Sequence, residues 1–195
     1  MRVMFAAALA ATVSSLAVVA PAMAQEAAGP GGVYGSLGYS HVEAQGAATN
    51  SITGRATGRF GRYLGIEGEV TAGLSTGDRT FSPGTPAQTQ VGVKQQLAGA
   101  AYAVGFLPLM RNFDLLARVG YGASRYSIEP NGSANYRATE HGIRYGAGAQ
   151  YLMNGSNGLR VDWTREQMNS LSDPAGFFSS EKKADVWAVS LVHKF

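Results

Sequence analysis

Cysteine is absent from the 195-residue chain, so disulfides and thiolate metal sites are excluded. Charge of one sign is scarce too. The 16 basic and 13 acidic side chains leave a formal net charge of +3 with no basic run, which gives no ground for a nucleic-acid partner. Histidine occurs 3 times, at His41, His141 and His193. No zinc-protease, nucleophile-elbow, phosphate-loop or dinucleotide motif is present, and no cofactor or metal is expected. Beyond residue 24 no apolar run is long enough for a helix to span a bilayer. Plain hydropathy therefore reads the chain as water-soluble, but strands that alternate apolar and polar residues escape such a reading by averaging.

The first 24 residues read as a secretory signal. Met1 and Arg2 give a positive start, Val3 to Ala20 is apolar apart from Thr12, Ser14 and Ser15, and Ala22-Met23-Ala24 is a small-residue cleavage site. Cleavage is expected between Ala24 and Gln25. The apolar stretch is short and Ala-rich, which disfavours a retained membrane anchor. Residues 25–32 then form a flexible leader and 33–195 a single domain.

What the mature chain has is glycine, 26 residues without a collagen-like period, and alternation. At the C-terminus Trp187, Val189, Leu191, His193 and Phe195 share one strand face, while Ala188, Ser190, Val192 and Lys194 share the other. Eight such segments are expected, at about 33–44, 51–62, 65–75, 91–106, 113–126, 140–152, 158–168 and 184–195. Short connections follow the second, fourth and sixth. Longer polar connections are expected at 45–50, 76–90, 127–139 and 169–183. The fold class this predicts is all-β, an eight-stranded antiparallel up-and-down transmembrane β-barrel. A soluble lipocalin-like barrel also has eight strands, but its apolar residues lie inside and its charges outside.

The charges arbitrate. Ile52, Gly54, Ala56, Gly58 and Phe60 oppose Thr53, Arg55, Thr57 and Arg59 on the second segment, and Leu159, Val161 and Trp163 oppose Arg160, Asp162 and Glu166 on the seventh. If the apolar faces meet lipid, then Arg55, Arg59, Glu67, Glu69, Arg118, Arg144, Arg160 and Asp162 form a charge network of both signs in the lumen. An eight-stranded barrel is just wide enough for such side chains to fill, so a porin is not expected and a narrow ion channel is a minor alternative. Tyr63, Phe106, Phe113, Tyr151 and Phe195 are expected in an aromatic girdle at the short-turn end.

Val119-Gly120-Tyr121-Gly122, Tyr145-Gly146-Ala147-Gly148, the strand Arg160-Val161-Asp162-Trp163 and the terminal Phe195, together with the signal peptide, resemble the small eight-stranded outer-membrane barrels of bacteria, of the OmpA-membrane-domain and OmpX type. The resemblance covers the whole mature chain and extends to porin-family outer-membrane proteins. It implies residence in the outer membrane, contact with lipid and lipopolysaccharide, and delivery by the barrel-assembly machinery through Trp187, Val189, Leu191 and Phe195. Family members include adhesins, structural proteins and a few lipid-modifying enzymes. No residues follow Phe195 to form a peptidoglycan-binding domain, so that role is not expected.

The function expected is therefore a non-enzymatic surface protein, structural or adhesive, working through its extracellular loops. Phe177 and Phe178, beside Ser179, Ser180, Glu181, Lys182 and Lys183, are the candidate contact with a host or cell surface. The alternative is a lipid-modifying hydrolase with His41 or His141 at the rim and Ser40, Ser127 or Glu140 nearby. Against it, Ser156 has no neighbouring histidine and falls in a short-end turn.

Overall fold

A computed structural model describes residues 31–44, 47–81, 89–130, 136–170 and 182–195. The strands are β1 (Gly32–Ala44), β2 (Ala47–Phe60), β3 (Leu64–Gly73), β4 (Thr76–Phe81), β5 (Thr89–Met110), β6 (Phe113–Pro130), β7 (Tyr136–Leu152), β8 (Asn157–Ser170) and β9 (Lys182–Lys194). All pairings are antiparallel. β1 pairs with β9, and the sheet closes on itself through β3 and β5. Both β3 and β4 pair with β5, so the two are pieces of one stave and the barrel has eight.

The break in that stave has a local cause. Leu74 and Ser75 both point their backbone N–H at the Asn50 carbonyl, and the Asn50 N–H donates to Ser75 Oγ at 2.8 Å. Opposite, the β5–β6 ladder shifts register between Gln95 and Leu97. An extra residue in one strand bends it and sharpens its twist. The interruptions fall at the same level of the wall, since Ala72 pairs with Leu97 and Thr76 with Lys94.

The long connections are shorter than their composition suggests. Residues 47–50, 76–81, 89–90, 127–130, 136–139, 169–170 and 182–183, expected in loops, are strand. β5 runs for 22 residues and β6 for 18, against the roughly 9–11 a tilted strand needs to cross a bilayer. Ladder hydrogen bonds between neighbouring strands continue past the point where the apolar pattern stops, and loop-like polar composition does not prevent that. At the other end the turns are 61–63, 111–112 and 153–156. Gly61 and Gly155 adopt φ of +65° and +77° there, a left-handed conformation that costs glycine least. The Asn154 side chain caps its own turn, accepting from the backbone N–H of Ser156 and Asn157.

The barrel is inside-out relative to a water-soluble one. Arg144, Arg160 and Asp162 are almost wholly buried, whereas Leu37 and Leu191 are 63% and 67% exposed. Leu64, Ile66, Val119, Ile143, Val161 and Val189 are exposed beside them. A continuous exposed aliphatic belt with charges sealed inside is stable where the surroundings are hydrocarbon. That excludes the lipocalin-like arrangement.

Candidate functional site: a filled lumen and its two rims

β2, β3, β6, β7 and β8 each present arginines or carboxylates at alternate positions, and barrel closure brings them together. Glu67 is the hub. Its two carboxylate oxygens accept from Arg160 at 2.5 and 3.1 Å, from Arg118 at 2.8 Å and from Thr57 Oγ1 at 2.8 Å. Glu69, two residues on and so on the same face, accepts from Arg55 at 2.7 Å, Arg118 at 3.2 Å and the Tyr102 hydroxyl at 3.1 Å. Asp162 holds Arg160 Nε at 2.9 and 3.0 Å and lies 3.4 Å from Arg55. All eight charged residues singled out from the sequence are buried, and each has an opposite charge within 4 Å.

Two partners were not singled out. Asp114 holds Arg59 at 3.0 and 3.3 Å, and Glu166 holds Arg144 at 2.9 Å. Both sit on the polar face of their strand, so the signal was in the alternation. Glu140 is buried in the same lumen. Hydroxyls complete the network. Ser40 and Thr53 are 2.5 Å apart, Thr53 and Thr71 3.0 Å, Arg144 donates to Ser124 and Arg55 to Ser190.

Glycines make room for these large side chains. A Cβ on Gly120 would lie 2.1 Å from the Ala101 carbonyl oxygen and 2.7 Å from the Tyr102 ring. On Gly122 it would lie 2.6 Å from Arg144 Nε. The Gly-aromatic strands thus put an aromatic on the outside and leave space inside for a guanidinium or a phenol.

Towards the short-turn end the lumen changes character. Tyr102, Val104, Phe106 and Leu116 form one buried cluster, and Tyr34, Leu152 and Val192 another. Phe106 corrects the expectation that placed it in the girdle. It points inward, with the Arg59 guanidinium 4.4 Å from its ring centroid. The Gly99, Ala101, Ala103 face of β5 is the outer one, and Tyr102, Val104 and Phe106 on the other face fill the interior. Charge layer and apolar layer together occupy the bore.

Outside, the rims carry aromatics. Tyr63, Tyr151 and Phe195 are exposed at the short-turn end, and Phe113 is half-buried. His193 packs edge-on against Phe195 at 4.7 Å and bonds Asn157 at 2.8 Å. At the opposite rim Trp163 and Trp187 are cross-strand partners. Trp163 Nε1 and the Arg165 guanidinium both donate to Asp185, and Tyr145 packs edge-on against Trp163. On β9, Trp187, Val189, Leu191 and Phe195 all face outward and are exposed.

The rim histidines face away from two of their candidate partners, Ser40 and Glu140. Ser40 and Glu140 are buried in the lumen, and His41 and His141, one residue away, take the other face. His41 Nδ1 pairs with Asn50 at 2.8 Å, with Glu43 3.6 Å from its other nitrogen, and His141 lies 5.9 Å from the Tyr121 ring. The side chain of Ser127, and Ala24, Gln25, Phe177 and Phe178, lie outside what the structure describes.

A closed eight-stranded antiparallel barrel with a lipid belt and buried charges inside defines a small outer-membrane β-barrel protein. The chain belongs to the outer membrane protein beta-barrel domain family, which matches residues 6–195. It is therefore a protein of the bacterial outer membrane. Comparison with curated proteins gives no match. Among solved structures the fold is similar to Ail, the attachment invasion locus protein of Yersinia pestis, at 15% identity and TM-score 0.55, over 85% of this chain and 99% of Ail. It is also similar to Neisserial surface protein A, at 12% and 0.56 over 84% and 96%. A third similar fold is OprG of Pseudomonas aeruginosa, at 13% and 0.55, again over 84% and 96%. At these identities the likeness is one of fold.

Proposed function

We propose that this protein is a non-enzymatic outer-membrane barrel with a structural or surface-interaction role, carried by the segments that join the strands at the end opposite the short turns. The observation that carries this reading is the filled lumen. A bore that holds arginine–carboxylate pairs and then Tyr34, Val104, Phe106, Leu116, Leu152 and Val192 argues against a solute path. What such a barrel offers its surroundings is its outer surface. One of the similar structures, Ail, was solved in complex with the heparin analogue sucrose octasulfate, which supports looking for contacts on the outward segments.

In this reading the first 24 residues are removed between Ala24 and Gln25, and residues 25–32 are a leader to the barrel at 33–195. The short-turn end, with both chain termini, faces the periplasm. The outward face of β9, Trp187 to Phe195, is the segment the assembly machinery recognises. Phe177 and Phe178 are the candidate contact on the segment between β8 and β9, toward a host or cell surface or lipopolysaccharide. Against the hydrolase reading, Ser40 and Glu140 lie on the opposite strand face from His41 and His141. Measuring solute flux, acyl release from outer-leaflet lipid and adhesion to cell surfaces with the same refolded preparation tests the proposal. Adhesion lost on exchanging Phe177 and Phe178 for serine supports it. Acyl release abolished by His41→Ala or His141→Ala overturns it.

A further inference from the structure

The short-turn mouth holds a cluster of cations that the lumen network does not use. Arg62 lies in the turn 61–63, Arg111 in the turn 111–112, and Lys194 ends β9. All three line one open cavity of ≈ 610 Å³. The carboxylate that shares it, Asp114, has its oxygens on Arg59. Arg59 also donates to the Arg62 backbone carbonyl and so fixes the turn that carries Arg62. Arg59 and Asp114 neutralise each other. Among the described residues Arg62, Arg111 and Lys194 have no carboxylate within ion-pair distance. Arg62 and Lys194 rest instead near aromatic faces, 5.6 Å from the Tyr63 centroid and 5.8 Å from that of Tyr34. Such contacts hold a cation in place without cancelling its charge.

The flank of the cavity is apolar. Leu109 and Met110 line it and are 54% and 74% exposed. Uncompensated cations beside exposed aliphatic side chains, at the level of an aromatic rim, match an anionic headgroup with its acyl chain. We propose that this mouth binds the phosphate of an anionic phospholipid, with Arg62, Arg111 and Lys194 around the phosphate oxygens and the acyl chain against Leu109 and Met110. Fixed donors around a phosphate form charge-assisted hydrogen bonds, and lipid recognition by basic pockets follows the same electrostatics. Naming the periplasmic leaflet as the source rests on the orientation proposed above. The binding itself does not.

The test is a titration of full-length refolded protein in neutral detergent with phosphatidylglycerol, phosphatidylcholine and soluble glycerol phosphate, read by native mass spectrometry. Phosphatidylglycerol is expected to bind in preference to phosphatidylcholine. Its affinity should fall about five-fold for each of Arg62→Gln, Arg111→Gln and Lys194→Gln, and about 100-fold for the triple variant. Arg165→Gln at the opposite rim should leave it unchanged. If the triple variant fails to refold, the single variant Arg111→Glu, in an exposed turn, carries the test. Glycerol phosphate binding as tightly as the lipid would keep the phosphate site and overturn the lipid as its source. Equal phosphatidylglycerol binding by wild type and variants, or phosphatidylcholine binding as well as phosphatidylglycerol, overturns the proposal.

Discussion

Arg160 on β8 and Glu67 on β3, 93 positions apart in the chain, meet in the lumen through two contacts of 2.5 and 3.1 Å. Their strands are not neighbours in the sheet. The pair crosses the bore and ties opposite walls together. Planar guanidinium and carboxylate groups match in this two-point geometry, and with both groups removed from water, neither is replaceable alone.

Glu67→Ala should therefore be the costlier change, about 3–5 kcal/mol, because it removes a carboxylate that Arg118 and Arg160 share and leaves the buried pair only Glu69 and Asp162. Asp162→Ala should cost less, roughly 1.5–3 kcal/mol, because Arg160 keeps Glu67 and Arg55 keeps Glu69. Urea unfolding in lipid vesicles measures both. The order of the two variants is the stronger check, and a Glu67→Ala barrel as stable as wild type would contradict the hub role.

Two glycines should answer oppositely to the same change. Gly120→Ala puts a methyl group 2.1 Å from a backbone oxygen and against Tyr102, so it should slow or abolish refolding. Gly68→Ala adds a methyl group to the outer wall where nothing lies within 4 Å, and should be close to neutral. Refolding yield, read from the heat-dependent gel shift of a closed barrel, separates them.

The lipid belt predicts a depth dependence. Val189→Arg, amid exposed aliphatic residues, should destabilise by about 2–4 kcal/mol. His193→Arg, at the aromatic rim beside Phe195, should cost roughly 0–1 kcal/mol. Equal costs at the two positions would argue that β9 does not cross the hydrocarbon as described.

Much of this architecture is legible in the chain because strand alternation has a period of two, and a charge on one face locates the lumen wherever it occurs. Arg55, Arg59, Glu67 and Glu69 could be placed on that ground alone. Where the face carries no charge, alternation alone does not locate the lumen. Phe106 is aromatic and near a turn, so it reads as rim, although its parity puts it inside with Val104 and Tyr102. Around Ala98–Ala103 both faces are small and alternation carries no signal. Strand length was illegible for another reason. β5 and β6 extend beyond the apolar pattern through backbone pairing, which is indifferent to side-chain polarity. The partners of Arg59 and Arg144 depended on barrel closure, which sets which strands face each other across the bore.

The central claim is that the bore is filled, first by ion pairs and then by the apolar layer around Phe106. Current through planar bilayers containing the refolded protein tests it most directly. The account predicts no discrete conductance steps for wild type, and none for Glu67→Gln, because the apolar layer remains. A steady current that grows with salt concentration in the wild-type protein would contradict it.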